Sequence, residues 1–176
     1  VGRLEQYRQF YEHEKWANAK MLAMVESVPE GSRARPEFQR AVNLVAHLAA
    51  CRENWLDRMV NDGTRQRPWF EEAVDPASLR ARIEVVENEW TTYLGTLTEE
   101  GLDVDFEFDA RDGRRYRWNV EGQIAQLVGH AFYHRGQIAL LVDQLGGETD
   151  DTDYLYWAYE RNPRWGLVRK SSPEGT

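Results

Sequence analysis

The sequence predicts an all-α protein: a four-helix bundle with a small β-hairpin between helices 3 and 4 and a short C-terminal helix. Three observations carry that expectation. Four long stretches repeat their apolar residues at the helical period, about 3.6 residues. No stretch alternates strand and helix patterns as an α/β fold would. The 176 residues are enough for one sizeable core and too few for two comfortable ones.

The first helix is expected from Arg3 to Val28, with Leu4, Tyr7, Phe10, Tyr11, Met21, Leu22, Val25 and Val28 on one stripe. Pro29-Glu30-Gly31 ends it. The second runs roughly from Pro36 to Asn61, with Phe38, Val42, Val45, Ala49, Leu56 and Met59 inward and Asn61-Asp62-Gly63 as the break. The third has the clearest start. Asp75 suits the N-cap, Pro76 the first helical position, and Val74 can staple onto Leu79. Leu79, Ile83, Val86, Trp90, Leu94 and Leu97 then form its apolar face.

VDFEFDARDGRRYRW alternates and turns at Arg111-Asp112-Gly113, which predicts the hairpin. Asn119 caps the fourth long helix, which stops at Gly146-Gly147. DTDYLYWAYE supplies the short last helix. A single domain is expected over residues 1–165, leaving 166–176 as a frayed tail.

Composition narrows the function classes. Apolar residues make up 41% and charged residues 30%, and no run reaches the roughly 18 apolar residues of a membrane span. The N-terminus is amphipathic rather than built like a signal sequence. A net charge of −8 argues against nucleic acid and anionic membranes, since phosphate binders present basic faces. RARPEFQR and RDGRRYR are the only basic candidates, and both are expected to be solvated loop or strand edge. The one cysteine, Cys51, cannot form an internal disulfide, which fits a reducing cytoplasm. Glycine-rich phosphate loops, nucleophile elbows, CxxC pairs and paired-carboxylate motifs do not stand out.

The histidines are the informative residues. GHAFYHRGQI holds two of the four, His130 and His134, one turn apart on the fourth helix. His134 falls within the apolar arc and His130 at its margin, with Gln123 and Gln137 on the same side. His47 sits at the edge of the second helix's apolar face. Inward side chains on facing helices of a bundle are how such folds build metal sites. An HxxxH pair alone does not decide the matter, because two imidazoles at this spacing also occur as ordinary half-buried histidines. Adding His47 gives three candidate ligands, of a kind suited to zinc, nickel, copper or iron, with ordinary half-buried histidines as the alternative. His13 points to the polar side of the first helix and is expected to be solvated. Glu14 and Asn18 fall within that helix's apolar stripe, where a carboxylate needs a partner, either structural or beside a metal. Cys51, one turn after His47, is either a further ligand or, the favoured reading, small core filler, and Trp69-Phe70 reads as a cover over the site or a partner surface.

Three stretches resemble one family. YEHEKWANAKML is similar to the opening helix of the DinB/YfiT-like metalloenzymes, which are unrelated to the DNA polymerase sharing the first name. His47 falls where that family has a lone second-helix histidine. DGRRYRWNVEGQIAQLVGHAFYHRGQIALLVDQLG resembles its hairpin and last long helix, and DDTDYLYWAYE its closing segment. The resemblance implies an up-down-down-up four-helix bundle, often homodimeric. It also implies one divalent ion per chain, zinc or nickel, on His47, His130 and His134. Gln137, Glu14 and Asn18 are candidates for the shell around those ligands, although relatives often carry asparagine or another small polar residue at the place of Glu14.

Characterised relatives include transferases and isomerases that use low-molecular-weight thiols such as mycothiol or bacillithiol. The resemblance therefore implies a metal-dependent thiol S-transferase acting on a small thiol and an electrophilic substrate. The alternatives are a metal-dependent hydrolase and a non-catalytic metal-binding protein of the stress response.

Overall fold

The computed structural model describes residues 2–61, 63–162 and 164–166, and these are mostly helical. The long helices are α1 (Arg3–Ser27), α2 (Pro36–Val60), α3 (Leu79–Thr96) and α4 (Val120–Gln144). A hairpin of β1 (Asp105–Asp109) and β2 (Arg115–Asn119) precedes α4, and α5 (Tyr154–Arg161) follows it. Short 3-10 turns occupy Glu30–Ser32, Pro76–Ser78 and Glu100–Asp103. Most of the tail expected to fray, from Leu167 onward, lies outside the described residues.

The helix ends follow local chemistry. Pro36 stands in the first turn of α2, where its missing N–H has no intrahelical role. The Asp75 carboxylate accepts from the Ala77 N–H at 3.0 Å, but it caps the 3-10 turn that leads into α3 rather than α3 itself. Asn119 Oδ1 accepts from the Gly122 N–H at 2.6 Å and caps α4. At the other end of α4, Gly146 takes a φ of 79°, which a side chain would oppose, and the Gly147 N–H donates to the Val142 carbonyl at 3.0 Å.

α1 packs against α3 and α4, and α2 packs against the same two helices. Met21, Val42, Val45, Trp90, Ile138 and Val142 are fully buried where these stripes meet. Trp90 keeps its indole N–H satisfied by donating to the Arg52 carbonyl at 3.0 Å.

The hairpin is antiparallel, pairing Phe106 with Trp118 and Phe108 with Tyr116. Phe106 and Phe108 turn their rings onto Trp55 of α2, with Phe108 4.9 Å away edge-on. Its outer arginines are neutralised within the hairpin, Arg115 by Glu107 and Asp109 and Arg117 by Glu107. RDGRRYR is thus no free basic patch on β2. The Val120 N–H donates to the Val104 carbonyl at 3.0 Å, tying the hairpin to the start of α4.

A second expectation is corrected. His13 is buried, not solvated, with only 1% of its surface exposed. The segment after α4 returns across α1 and covers it. His13 Nε2 bonds the Thr152 carbonyl at 2.8 Å, and the rings of Phe132, Tyr154 and Trp157 surround the imidazole. The polar side of α1 became an interface because α5 supplies aromatic residues to cover it.

Candidate metal centre

The packing of α2 against α4 brings His47 face to face with His130 and His134. Nε2 of His130 lies 3.3 Å from Nε2 of His47 and 3.1 Å from Nε2 of His134. Ligand atoms of the three rings all fall within 4.8 Å of one another. A tetrahedral ion bound at 2.0–2.1 Å spaces its nitrogen ligands about 3.3 Å apart, so the group fits such an ion.

Proton accounting points the same way. Nδ1 of His47 lies 2.6 Å from the Trp69 carbonyl, and Nδ1 of His134 lies 2.7 Å from Gln137 Oε1. Oxygens of this kind only accept, so both Nδ1 atoms carry the ring proton and both Nε2 atoms present lone pairs. A neutral His130 has one proton to offer and can satisfy only one of its two neighbours. Three nitrogens that share at most one proton suit a cation.

Burial reinforces neutrality. It lowers the pKa of His47, with the bond to Trp69 opposing, and lowers that of His130 to about 4, with His134 and His47 adding to the effect. Neutral imidazole is the form that ligates a metal.

The surrounding residues divide into two groups. Gln137 bonds a histidine directly, one turn beyond His134. Glu14 and Asn18 belong to a buried network between α1, α2 and α3 whose Arg52 also helps to lower the pKa of His130. Glu14 accepts two bonds from Arg52, from Nε at 2.8 Å and from Nη2. Asn18 donates to Glu87 at 3.0 Å. Arg52 is further held over the rings of Trp90 and Tyr11, at 4.6 and 5.3 Å.

Cys51 is buried with its sulfur 3.6 Å from His47 Nε2, and burial pushes its thiol up to about 12. Burial disfavours its thiolate, and the side chain packs as a small apolar group of α2. The cover over the group comes from the α2–α3 connection. The ring of Phe70 lies on His47, 4.2 Å between centroids and 7° from parallel, beside the Trp69 carbonyl.

Four buried charged residues escaped the sequence reading: Arg52, Asp57, Arg58 and Arg135. Arg52 and Arg135 lie at 6% and 2% exposure. The signal was present: Arg135 lies four residues after Ala131 and three before Ile138, on the buried stripe itself. Its Nε and Nη1 make no hydrogen bond among the described residues.

A mostly helical chain that holds three imidazoles in position for a metal ion, two of them one turn apart on a single helix, defines a class of helical proteins with a candidate metal site. The DinB family model matches residues 4–165, and the chain belongs to that family. No match was found among curated proteins or among solved structures.

Proposed function

We propose that the protein is a metal-dependent enzyme of the thiol S-transferase kind, with one divalent ion, zinc or nickel, on His47, His130 and His134. The observation that carries this is the convergence of three Nε2 atoms at 3.1 and 3.3 Å, with two rings fixed by carbonyl oxygens behind them. His47, His130 and His134 would leave such an ion an open position, and there it would supply acidity to a thiol, whose free pKa is about 8.5.

The chain's own residues then have limited tasks. Trp69 and Gln137 orient two of the rings, and Phe70 shields His47 from water. The transfer forms a carbon–sulfur bond while the electrophile's leaving group departs with its electron pair, and the thiol proton passes to solvent. Cys51 takes no part in it.

Within this proposal the four long helices form an up-down-down-up bundle. The pairing of α1 and α2 each with α3 and α4 supports that arrangement. A homodimer is supported by one stripe of α4, where Gly129, Tyr133, Gly136 and Leu140 follow one another at helical spacing. Tyr133 and Leu140 are 65% and 59% exposed, and the glycines open onto free space. Among the described residues no helix is long and apolar enough to cross a membrane. The single cysteine supports a cytoplasmic location.

The test is a panel of low-molecular-weight thiols with an activated chloronitroarene, run on metal-loaded protein. Turnover should require both metal and thiol, survive Cys51→Ala and vanish with His130→Ala. Equal turnover of ester substrates without thiol would favour the hydrolase. Metal-loaded protein inert to every thiol would favour a non-catalytic metal-binding stress protein.

A further inference from the structure

Beside the histidines lies a cavity of about 520 Å³ that no step above uses. Its walls are aromatic: Trp55 from α2, Trp69 and Phe70 from the α2–α3 connection, Phe108 and Tyr116 from the hairpin. The rings meet edge-to-face or stacked around it. Trp55 stands 63° from Trp69 and 84° from Phe108, while Tyr116 stacks on Phe108 at 5.9 Å. Such walls favour a flat apolar body.

The charge on offer is more selective. Arg58 sits 4.7, 4.9 and 4.8 Å over the rings of Trp55, Trp69 and Phe108, and it donates to the Asp109 carbonyl at 2.9 Å. The cage therefore already holds a cation of its own, and a second would be repelled. Arg111 adds another guanidinium at the rim, 5.8 Å from the Phe70 ring. The one carboxylate in the lining, Asp112, is engaged with the Tyr116 hydroxyl at 2.7 Å and the Arg114 N–H at 3.0 Å. Burial also lowers the pKa of Arg58, with Asp109 and Asp57 opposing, as expected of a cation that would gain from an added negative charge.

We infer that this cavity binds a planar aromatic or conjugated carboxylate, with its flat body between the rings and its carboxylate at Arg58 and Arg111. The site is coupled to the histidines by geometry. Phe70 is at once a cavity wall and the ring stacked on His47, and the Trp69 carbonyl fixes the same imidazole. The inference deepens the proposed function by naming the class of electrophile, and its placement rests on that reading. Binding itself does not require metal, so the two can fail separately.

The experiment titrates the full chain with 2-naphthoate, 2-naphthalenemethanol and 2-naphthylmethylammonium, following tryptophan fluorescence through Trp55 and Trp69. Naphthoate should bind at least about tenfold tighter than the alcohol, a ratio set by one charge-assisted contact, and the ammonium compound most weakly. Ala110→Trp, which fills the cavity from its rim, should abolish the naphthoate response while metal content stays at the parent level. Arg111→Gln should narrow the gap between naphthoate and alcohol. Equal affinities for the three compounds, tightest binding of the ammonium, no saturable quenching, or binding unchanged by Ala110→Trp would each overturn the inference. Loss of metal stoichiometry in the parent, with naphthoate binding intact, would instead count against the metal reading alone.

Discussion

Gln137 Oε1 lies 2.7 Å from Nδ1 of His134, and that contact fixes which nitrogen of the ring faces His130. Groups that orient a ligand in this way typically affect metal affinity by 10–100-fold. Gln137→Leu should therefore weaken zinc binding by about that factor with little change in thermal midpoint, as competition with a chromophoric chelator would show. Gln137→Glu keeps an acceptor and should retain most of the affinity. Equal affinities for all three proteins would reduce Gln137 to a packing role.

The histidine trio makes a cleaner stoichiometric prediction. His134→Ala should reduce bound zinc or nickel from about one per chain to near zero by metal analysis, since two imidazoles leave the ion short of protein ligands. Cys51→Ala should leave the metal content at the parent level. A parent-like content in His134→Ala would refute the assignment.

Glu14 faces two buried cations. It bonds Arg52, and its charge also acts on Arg135, whose pKa burial lowers and Glu14 raises. Removing Glu14 strands both guanidiniums, whereas removing Arg52 leaves Arg135 to balance the carboxylate. Glu14→Gln should cost about 3–5 kcal/mol in urea unfolding, the range for breaking a buried pair, and Arg52→Met should cost less. The reverse order would mean that Arg135 does not share the carboxylate.

His13 predicts an acid limb in stability. Burial holds its imidazole below the ordinary value, and the bond to the Thr152 carbonyl opposes this only in part. The unfolded chain then takes up a proton at His13 before the folded one does. Its contribution is complete above about pH 6.5 and is lost as pH falls from there toward the depressed folded value. Urea midpoints at pH 7.5 and pH 5 should fall further for the parent than for His13→Phe. Parallel profiles would show that His13 does not titrate on unfolding.

The helices were legible in the sequence because their stripes are long and their ends carry chemistry that acts locally. Asn119 caps α4 with its own side chain, and Gly146 ends it through its own φ. The three histidines were legible for a related reason: each sits at or within an apolar margin, and the spacing of His130 and His134 is a property of one helix. His13 and Arg52 were not, because their burial depends on which stripe meets which. Nothing in α1 alone says that Tyr154 and Trp157 will fold back over His13. Nor does α2 alone say that Glu14 will reach Arg52.

The walls of the aromatic cavity come mainly from connections, while the histidines come from helices. Trp69 and Phe70 belong to the link between α2 and α3, and Phe108 and Tyr116 to the hairpin before α4. Changing the hairpin side of that cavity leaves in place the α2–α4 contact and the Trp69 carbonyl that set the imidazoles, so the same donor set can face quite different molecules. The fold thus separates the helices that carry the donor set from the connections that shape the space beside it.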